Sequence, residues 1–96
     1  MKTLDLISYA PIISDKEIGN EIYEKIKALL SSGEIVEIDL SQIKSMATFC
    51  AKQIFGKLYI DLGSEKFFER VVLKNANNDI KSIVRIGIQH SISENK

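Results

Sequence analysis

One cysteine, one histidine, one proline and no tryptophan occur in 96 residues, and the formal net charge is zero. Each scarcity closes off a class of function. A lone cysteine makes no internal disulfide, which fits a reducing compartment. One cysteine and one histidine supply no zinc-type ligand set, so no metal is expected. The 13 Lys and Arg balance the 13 Asp and Glu. They are interleaved, as in Lys16, Glu17, Glu21, Glu24, Lys25 and Lys27, so no basic patch offers itself to a phosphate backbone and nucleic acid is not an expected partner. No apolar run approaches the roughly 18 residues that read as a membrane span. The start Met1-Lys2-Thr3-Leu4-Asp5 does not read as a secretory signal. The expected setting is the cytoplasm, without a membrane. Gly63 and Gly87 belong to no glycine-rich phosphate cradle, and no cofactor is expected.

What remains is 45% apolar and 27% charged, the composition of a soluble globular domain. The length predicts one domain over 1–96, with no internal boundary or repeat and a polar tail, 91–96, that frays. A chain this short buries only about 60–65% of its unfolded surface. That leaves little room for a deep cleft and favours an interaction module over a self-sufficient enzyme.

Strands and helices alternate along the chain. Thr3 to Ile7 reads as a short strand, broken at Tyr9-Ala10-Pro11. Ile12 and Ile13 extend a strand or staple the next helix. Ser14-Asp15-Lys16-Glu17 fits a capping box with Ser14 at the N-cap. The helix that follows aligns Ile18, Ile22, Ile26, Leu29 and Leu30 on one stripe and stops at Ser31-Ser32-Gly33. Ile35 to Leu40 is the clearest strand. A second helix is predicted over 47–62, closed by Gly63. Ser64 to Glu69 is a connector with at most one helical turn, and Val71-Val72-Leu73 is a third strand. Asn75 to Asp79 is a turn and helix start. The last helix buries Ile80, Ile83, Val84 and Gly87. This β-α-β-α-β-α order predicts an α/β fold: a small, mostly parallel sheet packed by three to four helices.

In such folds function collects where strands end and helices begin. That place is Ser41 to Cys50. Hydroxyls at Ser45 and Thr48 lie near a helix N-terminus, where backbone N–H groups and the helix dipole stabilise negative charge. Either hydroxyl also serves as a plain helix cap, and that reading stays open. Asp39 ends the strand at this edge and is expected to support the loop by accepting from its amides.

The segment Val36 to Ala51 resembles the strand–loop–helix signature of STAS domains, the group that includes bacterial anti-sigma factor antagonists. It runs from an apolar strand ending in Asp39-Leu40-Ser41 to a hydroxyl at the start of a helix. Ala47-Thr48-Phe49-Cys50-Ala51-Lys52-Gln53-Ile54-Phe55-Gly56-Lys57-Leu58 is closest to STAS-like bacterial families, as is Val72-Leu73-Lys74-Asn75 before an Ile-rich helix. The resemblance implies a STAS-like fold and a signalling role. It puts Thr48 at the phosphoacceptor position, with Ser45 second, and makes an ATP-binding, kinase-like regulator of the anti-sigma type the partner. Two positions depart from the antagonists. Ala47 replaces the acid before the acceptor, and Phe49-Cys50 stands where a glycine follows it.

The second helix adds a reading of its own. At about 100° per residue, Ala51, Ile54, Phe55, Leu58, Tyr59 and Leu62 share the core face. Phe49, Gln53, Gly56 and Ile60 fall opposite, with Gly56 as a dent between two large apolar residues. That line is a candidate surface for a protein partner or for a second copy in a homodimer. Cover by a neighbouring helix or the C-terminal tail is the competing reading. A rival function is a small-ligand or nucleotide-binding domain with the helix N-terminus as its anion site. No catalytic residue is expected: Cys50 has no base near it in sequence, His90 lies far along the last helix, and a buried structural thiol is favoured.

Overall fold

The computed structural model describes residues 1–95. Its strands are β1 (Lys2–Asp5), β2 (Ile12–Ile13), β3 (Val36–Asp39), β4 (Ser45–Met46) and β5 (Val71–Lys74). Its α-helices are α1 (Lys16–Leu30), α2 (Thr48–Ala51), α3 (Lys57–Leu62), α4 (Ser64–Arg70) and α5 (Asn78–Glu94). A π-helical stretch, Lys52–Gly56, joins α2 to α3, so one continuous helical rod runs over 48–62.

The fold is α/β with parallel pairing throughout. A three-stranded sheet has the order β1-β3-β5, and β2 pairs with β4 in a separate two-stranded sheet. In β3, Val36 and Ile38 are fully buried while Glu37 and Asp39 are half-buried. That alternation is the mark of a sheet with one face under helices and one toward water. The 48–62 rod lies between α1 and α5, and its Ala51, Ile54, Phe55 and Leu58 join Ile22, Tyr23 and Ile26 of α1 in the core.

Several expectations shift in detail. α1 is capped by Asp15, not Ser14: its Oδ1 accepts from the N–H groups of Glu17 (2.7 Å) and Ile18 (3.1 Å). A carboxylate one residue later gains from the positive helix end as well as from the hydrogen bonds. The connector after Gly63 is a true helix, α4, anchored by buried Phe67. α5 runs past Ser91 to Glu94, Ser91 is buried, and Glu94 pairs with Lys52. Residue 96 of the predicted tail lies outside the described residues. No helix among the described residues is long and apolar enough to cross a membrane.

One contact ties α1 to the far end of the rod. The Tyr23 hydroxyl donates to Asp61 at 2.5 Å, and Lys57 Nζ sits 4.5 Å from the centre of the Tyr23 ring. Burial, followed by the hydrogen bond to Asp61, pushes the Tyr23 hydroxyl from its ordinary 10.0 up to about 12. The unfolded chain therefore ionises this tyrosine first. Stability contributed below pH 10 is expected to drain away as pH rises toward about 12, because the folded state holds the proton longer. Chemical denaturation across that window should show a steeper alkaline loss for the native protein than for Tyr23→Phe. Parallel slopes in the two proteins would remove Asp61 and burial as the cause.

Candidate functional site

Between β3 and the rod the chain is held at both ends. Asp39 Oδ1 accepts from Ser41 N–H at 2.9 Å and from Asn75 Nδ2 at 3.4 Å. The Ser41 hydrogen bonds, chiefly to the backbone amide, hold its carboxyl below the usual carboxylate range. Asn77 bridges the other side: its Nδ2 donates to Lys44 O (3.2 Å) while its Oδ1 caps α5 at Ile80 N–H (2.8 Å). The segment is also not free loop throughout. Ser45 lies in β4, paired with Ile12, and is half-buried. Lys44 N–H and Ala47 N–H donate to Pro11 O and Ile13 O, each at 2.8 Å.

Thr48 is the first residue of the rod and is exposed. Ala47 is the N-cap and supplies no side-chain oxygen, so neither Ser45 nor Thr48 acts as the cap. Cys50 is fully buried, with its thiol directed at Asp15 O, 3.6 Å away. Burial pushes that thiol up from its ordinary value, with the Asp15 charge adding to it. A thiol that resists ionisation and has no contact with water is a poor nucleophile. His90 is exposed on α5.

The outer face of the rod divides in two. Phe49 is 48% exposed, and it lines a groove of about 600 Å³ with half-buried Gln53 and Ile60. Gly56 does not line it. Gly56 is buried, and a Cβ there would stand 2.8 Å from Gly87 O and against Ser91 Oγ. The π turn explains the difference. At more than four residues per turn it brings Ile54, Phe55 and Gly56 inward in succession, where regular 100° steps would return the third to the surface. So α5 covers the middle of the stripe, and the groove occupies what is left.

The remaining walls come from elements distant in sequence: Lys16 at the start of α1, Lys52 and Lys57 on the rod, and Ser91, Glu94 and Asn95 at the end of α5. Three lysines against one glutamate make the groove net positive. Lys52 carried a readable signal, since it follows Thr48 by four residues and so shares its face. The α5 residues carried none, because nothing in their pattern shows that the helix folds back over the rod. Gln53 fixes the α1 wall: its Nε2 donates to Lys16 O at 2.8 Å, and its side chain packs where a Cβ on Gly19 would be. That explains why Gly19 is buried within α1.

The profile of the family described as "STAS-like domain of unknown function (DUF4325)" matches residues 19–81. This covers most of α1, the rod, all three strands after β2 and the first turn of α5. Among curated proteins and among solved structures, no significant match is found.

Proposed function

The chain belongs to this STAS-like family, and from that premise we propose that it is a non-enzymatic docking module whose groove over the rod receives a protein partner. The observation that carries this reading is Phe49: a large aromatic ring, 48% exposed, at the mouth of a groove bounded by lysines. Leaving such a ring half in water forgoes part of the ~1.5–3 kcal/mol that full burial supplies. Aromatic anchors beside cations are the usual core of a binding surface. The resemblance to anti-sigma antagonists makes an ATP-binding, kinase-like regulator the partner class.

Thr48 is the proposed switch. It is exposed and immediately precedes Phe49, which lines the groove. A phosphate there adds a charge of about −1.5 to −2 one turn from Lys52, which now pairs with Glu94. The phosphate competes with Glu94 for that lysine and alters the rim that the partner meets.

Phe49→Ser tests the docking. A surface change of this kind alters stability by about 0.5 kcal/mol or less, so the melting temperature should hold within roughly 4 °C. Binding to the kinase-like regulator, measured with both proteins purified, should weaken at least about tenfold. Unfolding would make Phe49 part of the core, and unchanged binding would remove the groove from the interface. With regulator and ATP present, intact-mass measurement should show one added phosphate, lost in Thr48→Val and kept in Ser45→Ala. Phosphate that survives Thr48→Val ends the switch and leaves the docking reading standing.

A further inference from the structure

A second groove, of about 460 Å³, runs along the free side of β5 and shares no lining residue with the first. Phe67, Val71, Leu73, Val84 and Ile88 form its apolar bed, and Phe68 stands at its side, 68% exposed. Phe68 is held edge-on against Phe67 and Tyr59, at ring-centre distances of 5.3 and 6.1 Å. The ring is therefore ordered by its neighbours while most of it faces water.

β5 is the edge of its sheet. Leu40 N–H donates to Lys74 O at 2.9 Å, so Lys74 turns its main-chain groups toward β3. In a parallel pair the direction alternates by residue. Val72 therefore also faces β3, and Leu73 turns its N–H and C=O outward along the groove. No turn, loop or cap backbone group among the described residues meets them. The order β1-β3-β5 steps one way across the sheet, and α5 follows β5 as a further crossover helix. The next position in that progression is the groove itself, with α5 already lying over it.

The charges say what fits. The only charged residues lining the groove are cations, Lys81 and Arg85, and among the described residues neither forms an ion pair. Lys74 adds a third cation to this edge from the open face of the sheet, opposite α5, partly held by Glu37 at 3.5 Å. A second copy of β5 would bring its own Lys74 to this edge and set like charges together.

We propose that this edge binds an extended, acidic and apolar segment of another protein as a fourth strand of the sheet. Main-chain hydrogen bonds to Leu73 supply the register. Alternate apolar side chains enter the bed under α5, the intervening carboxylates turn to the open face toward Lys74, and Lys81 and Arg85 on the flank of α5 add attraction for the acidic segment. The site is independent of the proposed role of Phe49 and Thr48.

A blocked peptide of alternating valine and glutamate is the probe, with its valine–lysine counterpart and an N-methylated form as comparisons. The valine–glutamate peptide should bind about tenfold or more tighter than the lysine peptide, as two or more ion pairs would give. N-methylation should abolish binding by removing donors from the added strand. Lys81→Glu with Arg85→Glu, both exposed on α5, should invert the charge preference. If that pair disturbs the helix, Lys81→Ala and Arg85→Ala together with Lys74→Ala should erase the preference. Equal binding of both peptides, binding that survives N-methylation, or no binding at all would overturn the proposal. So would a dimer in sedimentation that Phe68→Ser dissolves, since a second copy would then hold the edge.

Discussion

Gly87→Ala is expected to lower the melting temperature by more than 10 °C or so, although alanine is the better helix former. A Cβ at this position would lie 2.6 Å from Lys52 N and 2.7 Å from the carbonyl carbon of Ala51. Both are backbone atoms of the rod, so no side-chain rotation relieves the clash and α5 must move away. Relief at this crossing is blocked from the other side too, because Gly56 is packed against Gly87 O and Ser91. Overpacking of this kind costs about 1–3 kcal/mol and occasionally more, with ~1 kcal/mol returned by helix propensity. Backbone-to-backbone contact puts the gross cost at or above the top of that range, for a net loss of about 2–3 kcal/mol. In a domain this size each kcal/mol shifts the midpoint by roughly 4–8 °C. Ile86→Ala, one residue away on the exposed side of α5, should change little. A higher midpoint for Gly87→Ala would mean that the two helices meet less closely and that propensity alone governs the site.

That crossing also marks where the sequence stops being legible. The three strands of the main sheet were readable because Val36, Ile38, Val71 and their neighbours give short β-branched runs between glycine and asparagine stops. α1 and α5 were readable because a helical stripe repeats over several turns. The buried side of the rod was readable for the same reason, at Ala51, Ile54, Phe55 and Leu58. A uniform step per residue puts Gly56 on the outer side because it has no room for a π turn, and Lys52 to Gly56 carry no local signal for one. β4 was missed for a different reason. Two residues show no periodicity, and Ser45-Met46 becomes a strand only because Ile12-Ile13 lies beside it. The candidate site was half legible. Phe49, Gln53 and Ile60 come from one helix and can be found from its pattern, whereas the lysine and glutamate walls are assembled by tertiary packing.

Arg70 ties two elements together with no warning in the sequence pattern. It is the last residue of α4. Its guanidinium reaches across to the end of α1, where Nη2 donates to Leu30 O and, at 3.4 Å, to Glu34 O. Leu30 closes α1, and the last carbonyls of a helix have no partner within it. Arg70 thus braces the end of α1 from the end of α4, one residue before β5 begins. Leu30 O keeps a second donor in Gly33 N–H at 3.0 Å, so what Arg70 adds is the hydrogen bonding of a charged donor, about 1.5–3 kcal/mol. Arg70→Met keeps much of the side-chain bulk and removes the donors, so a loss of about 1.5–3 kcal/mol is expected. Arg70→Lys should recover roughly half, because its ammonium sits on a shorter stem than Nη2 and is more strongly hydrated, so it gives up more water to reach the same carbonyls. Salt separates this from a surface charge effect. The acceptors are carbonyls, so the gap between Arg70 and Arg70→Met should persist at about 1 M salt, where exposed ion pairs such as Lys52–Glu94 are screened. A gap that closes with salt would show that Arg70 acts through a surface carboxylate and not by capping α1.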